Sequence, residues 1–122
     1  MSGGMFDKIG QLMNLAKLAP KIQEESQRFQ QRVGQLVAEG DAGAGMVKVR
    51  VNGRMEVLSC NLSDDALKLN DREVLEDLIR AAANQALQKA RQQVAEEAGK
   101  MMSDLGLPAG MLPPGMGLPG LG

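Results

Sequence analysis

The sequence predicts an α+β fold in which two long helices flank one small antiparallel sheet. Only the stretch from Gly40 to Ser63 has strand character, and it lies between two long segments with helical spacing of apolar residues. Within it, Val47, Val49 and Val51 alternate with cations, which is typical of a strand with one buried face. A chain of 122 residues has room for one ordinary domain, and we assign residues 1–104 to it.

The first helix is predicted from about Phe6 to Ala38, because apolar positions repeat there at spacings of three and four. Pro20 falls inside this pattern. Proline removes a backbone donor and clashes with the preceding turn, so we expect a kink or a short break near Lys17 to Ala19. If the helix is broken there, the segment from Phe6 to Ala19 forms a separate short helix.

The sheet is predicted as a hairpin of two strands, Met46 to Asn52 and Met55 to Leu62, with room for a short third strand. A type I′ turn needs two residues with positive φ, and the pair Asn52 and Gly53 is typical of it. Glycines at positions 40, 43 and 45 predict a flexible or left-handed crossing before the hairpin. Cys60 falls on the apolar side of the second strand and is predicted to be a buried structural residue.

After the hairpin, a helical turn capped by Ser63 is predicted to end near Leu67. A second long helix is predicted from Asp71 to about Ser103, with Asn70 and Glu73 as a weak capping box. Two long helices beside a small sheet would leave apolar surface and a strand edge exposed in a monomer, which predicts a homodimer. The predicted interface combines one sheet face with an alanine stripe: Val47, Val49, Val51, Ala82, Ala86 and Ala90.

Composition argues against an enzyme. The chain has no His and one Cys, so it lacks a zinc-ligand set and histidine-based acid/base catalysis. The glycines before the hairpin follow a helix and open a strand, which is the reverse of a phosphate-binding loop. We therefore predict no catalytic, cofactor or metal site. No apolar run approaches the ~18 residues of a membrane span, and no signal-peptide pattern opens the chain, so we expect a cytoplasmic protein without membrane contact.

A stripe of cations follows one face of the first helix. At 100° per residue these cations fall within a sector of roughly 60°: Lys17, Lys21, Arg28 and Arg32. Glu24 lies among them and can pair with neighbours three and four positions away. Charge stripes on long helices are usually solvated faces, and the alternative is a surface that contacts a polyanion.

The last residues form a segment of different composition. From Leu105 onward the sequence LGLPAGMLPPGMGLPGLG has no charges and is dominated by Gly, Pro, Leu and Met. Such a segment cannot hold a helix or a sheet. We predict a disordered tail over residues 105–122, and the alternative is an apolar segment that docks onto the protein's own grooves or onto a partner.

Two segments, GAGMVKVRVNG and EDLIRAAANQA, carry a family resemblance. Together with the long first helix, the DDALK turn and the tail, they resemble the YbaB/EbfC family of bacterial nucleoid-associated proteins over about Met5 to Gly122. Pro20 departs from a straight first helix. The resemblance implies an α+β fold and a tweezer-shaped homodimer that binds DNA in the nucleoid and influences nucleoid organisation and gene expression.

The resemblance favours DNA binding over a merely solvated stripe. We expect contacts mainly with the phosphates of double-stranded DNA, because no base-reading motif is visible. The cation stripe is the first candidate surface, and the second group lies on the strand and its turn: Lys48, Arg50 and Arg54. The alternative function is a dimeric protein-interaction module, such as a replication or repair accessory, that uses the helix seams and the apolar tail.

Overall fold

The computed structural model describes the backbone of residues 3–106 and, within the first helix, the side chains of residue 13 and of residues from 16 onward. The elements are α1 (Gly3–Gln35), β1 (Val37–Ala42), β2 (Val47–Asn52), β3 (Val57–Leu62), α2 (Asp64–Lys68) and α3 (Arg72–Asp104). The strands form one antiparallel sheet in the order β1-β2-β3, and α3 packs across β1 and β2. This arrangement confirms the predicted α+β fold. The predicted disorder of the tail concerns residues 107–122, which lie outside the described residues.

α1 is a single helix from Gly3 to Gln35, and Pro20 lies inside it. The predicted alternative of a break, with a separate helix from Phe6 to Ala19, is therefore wrong. A proline removes one backbone donor from a helix, whereas a second helix would need a new and unfavourable nucleus. Continuing the helix across Pro20 is the smaller cost in free energy.

β1 is a strand where a helix end and a crossing are predicted. Its sequence, VAEGDA, contains Glu, Asp and Gly, which are depleted in strands. The first helix is accordingly expected to reach Ala38, and Gly40 to belong to a crossing. Instead the whole of β1 pairs with β2, with Gly40 opposite Val49. Pairing with a strong neighbouring strand outweighs the weak strand propensity of this segment.

Gly40 brings β1 into direct contact with α3. A Cβ atom on Gly40 would overlap the carbonyl oxygen of Ala82 and lie 2.6 Å from the amide nitrogen of Ala86. Both alanines are fully buried, so small residues on the strand and on the helix let the two backbones approach each other. The alanine stripe of α3 therefore packs closely against the sheet.

Left-handed backbone is concentrated in the β1–β2 loop. Gly43, Ala44 and Gly45 have φ values of 68°, 54° and 91°. The amide of Met46 donates to the carbonyl of Gly43 at 3.2 Å, which closes a turn with positive φ at both central residues, as in a type I′ turn. The predicted left-handed connection therefore exists, but it joins two strands.

The β2–β3 loop differs from the prediction. The amide of Met55 donates to the carbonyl of Asn52 at 3.1 Å, and the amide of Asn52 donates to the carbonyl of Glu56 at 3.0 Å. Only Met55 has positive φ in this loop, so the predicted type I′ turn at Asn52 and Gly53 is wrong, and the connection is a three-residue loop. Gly53 has a different role, because a Cβ atom there would overlap the carbonyl oxygen of Val33 in α1.

Helices α2 and α3 each begin at a residue whose side chain caps the helix. The Oγ of Ser63 accepts from the amide of Ala66 at 3.1 Å, which starts α2 as predicted. At α3 the Asp71 carboxylate accepts from the amide of Val74 at 3.2 Å. Asn70 is left-handed, with a φ of 49°, so the cap is Asp71 and not Asn70. An ionised cap also suits the positive end of the helix dipole.

The core consists of two clusters that share α3. The larger cluster lies between the sheet and α3: Ala38, Val47, Val49, Val51, Ala82, Ala86 and Ala90. The smaller cluster lies between α1 and α3: Phe29, Val33, Val94 and Ala98. The loop residue Met55 packs against both clusters, and it thereby connects the end of the hairpin to both helices.

Candidate nucleic-acid interface

α1 runs antiparallel to α3 and extends past its end. Three contacts give the direction: the amide of Asp41 meets Gln85, the carbonyl of Glu39 meets Lys89, and Arg32 of α1 meets Glu97. As residue numbers fall from β1 back into α1, the partner positions on α3 therefore rise. α3 ends at Asp104, seven residues after Glu97, so this register places its end opposite about residue 25 of α1.

The part of α1 before Glu25, which we call the arm, therefore projects beyond α3. About 20 residues at 1.5 Å per residue make the arm roughly 30 Å long. The described side chains of the arm are exposed, except for half-buried Leu18. A projecting helix can reach a surface that the compact part of the protomer cannot touch.

Two of the four stripe cations lie on the arm. Lys17 and Lys21 are exposed, and neither forms an ion pair with another residue of the described chain. A lysine in this position presents a strongly hydrated point charge on a flexible stem. These two side chains are therefore available to an anionic ligand without first releasing a carboxylate.

Arg28 lies at the base of the arm and is held by two carboxylates. Its Nη2 contacts Glu24 Oε1 at 2.7 Å and its Nη1 contacts Glu25 Oε1 at 3.0 Å. Arg28 and Glu24 are mostly exposed, whereas the Glu25 side chain is 12% exposed. A phosphate would have to compete with both carboxylates for this guanidinium group.

Arg32 connects α1 to α3. Its Nε lies 3.4 Å from Oε2 of Glu97, and Glu97 also approaches Lys100 at 3.5 Å. The Nε of Arg32 and the Oε2 of Glu97 are buried without a hydrogen bond of good geometry. The stripe that the sequence predicts as one surface is thus divided into two available lysines and two partnered arginines.

The second group of cations faces carboxylates of β1. Lys48 pairs in register with Asp41, and Arg50 pairs with Glu39, with 3.9 Å between Arg50 Nε and Glu39 Oε2. The cation-bearing face of β2 therefore has its charge matched by the neighbouring strand. This charge matching is not predictable from local sequence, because VAEGDA has low strand propensity.

Arg54 lies apart from Lys48 and Arg50. It is exposed in the β2–β3 loop, and its guanidinium group packs over Gly34 of α1, where a Cβ atom would be 3.1 Å from Nη2. The fold therefore places Arg54 beside the C-terminal end of α1 and far along the helix from Lys17.

The six residues predicted to form a dimer interface lie in the protomer's own core. They are at most 1% exposed: Val47, Val49, Val51, Ala82, Ala86 and Ala90. One face of the sheet and the alanine stripe of α3 cover each other, so neither is presented to a second copy. The predicted interface is therefore wrong in its residues, because the stripe packs within the chain.

The two edges of the sheet differ. The outer edge of β1 is occupied by α3, since the amide of Asp41 donates to Gln85 Oε1 at 2.6 Å and Lys89 Nζ donates to the carbonyl of Glu39 at 3.1 Å. β3 forms the other edge. Within residues 3–106, no hydrogen bond joins the outer edge of β3 to another element.

The side chains of β3 are also exposed. Cys60 and Leu62 pair in register with the buried Val49 and Val47, yet α3 packs mainly on β1 and β2. Cys60 is exposed, so the prediction that it is buried is wrong. We define the β3 surface as the exposed apolar residues of this strand and of the two helices after it: Val57, Leu58, Cys60, Leu62, Leu67, Leu69 and Val74.

No group of three or more His, Cys, Asp and Glu side chains is arranged to hold a metal ion within the described residues. None of the helices in this part of the chain is both long and apolar enough to cross a membrane.

Comparison with known proteins confirms the resemblance. The model of the YbaB/EbfC DNA-binding family matches residues 8–105. A nucleoid-associated protein of Caldanaerobacter subterraneus subsp. tengcongensis is 38% identical over 108 residues, which are 88% of this chain and 97% of the relative. A second, from Thermoanaerobacter pseudethanolicus, is 39% identical with the same coverage.

The fold also matches a solved structure. The crystal structure of an uncharacterized protein from Helicobacter pylori superposes with a TM-score of 0.63, covering 72% of this chain and 92% of that chain. The two sequences are 22% identical, so this likeness concerns the fold alone.

Proposed function

Because the chain belongs to the YbaB/EbfC DNA-binding family, we propose that it binds double-stranded DNA as a nucleoid-associated protein. The observation that supports this most is the arm, which carries Lys17 and Lys21 exposed and without carboxylate partners among the described residues. Binding would place the protein in the nucleoid of the cytoplasm, where it would influence nucleoid organisation and gene expression without being an enzyme.

The proposed contacts are with phosphates. Net charge is −1, so the chain as a whole does not attract DNA, and binding depends on the local charge of the arm. Each lysine that neutralises a phosphate releases counterions, which makes the affinity fall steeply with salt. Backbone contacts of this kind position the protein but carry no sequence information.

Arg28 can join these contacts at small cost. Its partner Glu24 is 62% exposed in the side chain, and exposed ion pairs contribute only about 0.2–1 kcal/mol. A DNA phosphate can therefore replace Glu24 at Arg28. Arg32 is a weaker candidate, because moving it toward DNA would leave Glu97 without its partner across the helices.

We further propose that the protein is a homodimer formed through the β3 surface. Exposed strand edges and exposed apolar patches both favour association, and β3 combines the two. A two-fold axis beside β3 would pair the same residues of both copies. Such a dimer presents two arms, so that two pairs of lysines can contact one duplex.

The test of the DNA-binding proposal is a salt titration. Fluorescence anisotropy of a labelled duplex of about 30 base pairs should show binding at low ionic strength. The logarithm of the association constant should then fall linearly with the logarithm of the salt concentration. The protein should bind AT-rich and random duplexes with similar affinity. Absence of any salt-sensitive binding by the folded protein would refute the proposal.

The second candidate function is a protein-interaction module of replication or repair. The open edge of β3 favours it, because an exposed edge can accept a strand from another protein. In this case a binding partner should compete with self-association at β3. If partner capture depended on the tail instead, removing residues from Leu105 should abolish it and leave DNA binding nearly unchanged.

A further inference from the structure

The apolar face of α1 continues past the end of α3. Phe29 and Val33 lie on this face and are buried against α3. At 100° per residue, Leu18 and Ile22 fall within the same sector of about 60°. Ile22 is nevertheless 39% exposed, since α3 ends before it reaches this position. The arm thus carries an apolar face that α3 does not cover.

An arm without a covering partner is difficult to stabilise. Isolated helices of this length are marginal in water, because most helix stability in proteins comes from packing of the apolar face. Lys17 and Lys21 lie about 130° and about 90° from the centre of the apolar face. A segment that packs on the apolar face would therefore support the arm and leave both lysines exposed.

The chain itself leaves α3 at the base of the arm. Met102 and Leu105 are buried at the end of the helix. The amide of Gly106 donates to the carbonyl of Ser103 at 3.0 Å, and Gly106 is left-handed with a φ of 71°. This conformation ends a helix and redirects the chain, so the chain leaves α3 near residue 25 of α1.

The following residues have suitable chemistry and length. Residues 107–122, LPAGMLPPGMGLPGLG, contain no charge, so they can cover apolar surface without burying an ion. Prolines prevent a helix and favour an extended chain of ~3.1 Å per residue, or ~50 Å for the segment. This exceeds the ~30 Å of the arm. Methionine side chains adapt to irregular apolar surfaces.

We propose that residues 107–122 lie along the apolar face of the arm and cover Leu18 and Ile22. Packing of this segment would stabilise the helical conformation of the arm, and the cationic side of the arm would remain exposed. This inference does not depend on DNA binding, because it concerns how the arm is kept helical in the free protein. The competing occupant of the same face is a second copy of the chain.

Hydrogen exchange measured by mass spectrometry tests this on the full-length chain. The variant with Leu107→Ser, Met111→Ser and Leu112→Ser keeps the length of the tail but removes apolar side chains from it. Amides from Lys17 to Gln23 should then exchange about tenfold faster. Peptides covering residues 29–35, which pack on α3, should be unchanged and so report an intact fold.

A matched pair of arm variants makes the test specific. Ile22→Ser removes an apolar side chain from the covered face, whereas Met13→Ser removes one that is 59% exposed on the opposite face. Ile22→Ser should free the tail and sharpen its methyl resonances in NMR spectra, and Met13→Ser should not.

Two results would overturn the inference. One is equal exchange in the arm of the parent and the tail variant. The other is protection that depends on protein concentration and not on the tail, which would assign the face to a second copy.

Discussion

Arg32 of α1 and Glu97 of α3 form an ion pair between the two long helices, with 3.4 Å between Nε and Oε2. The Glu97 side chain is only 20% exposed, whereas Arg28 and Glu24 in the same stripe are 59% and 62% exposed. Cations that look equivalent along one helix face therefore have different roles. The pair with Glu97 stabilises the protomer, and the lysines of the arm remain available to a ligand.

The first prediction compares these two ion pairs by double-mutant cycles. Arg32→Gln with Glu97→Gln should give a coupling energy of about 1 kcal/mol, because the pair is partly shielded from water. Arg28→Gln with Glu24→Gln should give about 0.3 kcal/mol, as exposed pairs on one helix do. Urea unfolding provides the free energies. Equal coupling energies would contradict the distinction between the two arginines.

The second prediction concerns DNA affinity. Lys17→Glu with Lys21→Glu should abolish detectable binding at moderate salt. Neutral Gln at both positions should lower the magnitude of the slope of log K against log salt by about 2 for each arm on the duplex, or about 4 for the dimer. Anisotropy titrations at several salt concentrations give both quantities.

The control for this prediction carries the same change of charge elsewhere. Lys48→Glu with Lys68→Glu alters residues outside the arm and should weaken binding much less. An equal loss in both double variants would show that net charge, and not the arm, governs affinity.

The third prediction concerns Gly40. Gly40→Ala should lower the free energy of unfolding by about 3 kcal/mol, because the new Cβ atom overlaps backbone atoms of Ala82 and Ala86 that cannot move separately. Gly99→Ala is the matched control, since a Cβ atom there meets nothing within 4 Å. It should raise stability by about 0.5–1 kcal/mol through helix propensity. Thermal and urea unfolding would show whether the two changes have opposite signs.

The fourth prediction concerns the β3 surface. Leu58→Glu with Leu62→Glu should convert a dimer into a folded monomer. The two residues are 53% and 37% exposed in the protomer, and a charge at a two-fold interface repels its own copy. Size-exclusion chromatography with light scattering measures the mass, and circular dichroism checks the fold.

Ala95→Glu on the exposed side of α3 provides the comparison for the interface variants. It should leave the mass unchanged. A parent protein that is already monomeric at all concentrations, or a Leu58 and Leu62 variant that stays dimeric, would place the interface elsewhere or remove it.

Much of the fold is predictable because local periodicity is strong. The alternation of Val47, Val49 and Val51 and the alanine stripe of α3 each identify a buried face without knowledge of what covers it. β1 is not predictable in this way, since VAEGDA has low strand propensity and becomes a strand only by pairing with β2 and approaching α3.

The sequence predicts which cations form the candidate site, but it does not predict which of them have carboxylate partners. Spacing identifies the stripe of four cations on α1, yet the partners of Arg32 and Arg50 come from α3 and β1. Ion-pair partners that come from other elements of the same chain depend on how elements distant in sequence pack together. The same is true of Cys60, whose strand has an apolar side that no helix of the described protomer covers.

The sequence by itself determined the two helical faces, the valine strand, the absence of histidine chemistry and the family to which the chain belongs, because each depends on local residue pattern. Only the tertiary structure decided that the alanine stripe is internal, that Gly53 and Gly40 serve close contacts, and that Lys17 and Lys21 are the two cations of the α1 stripe without an ion pair among the described residues. These depend on which surfaces meet, and that is set by the summed packing of α1, α3 and the sheet.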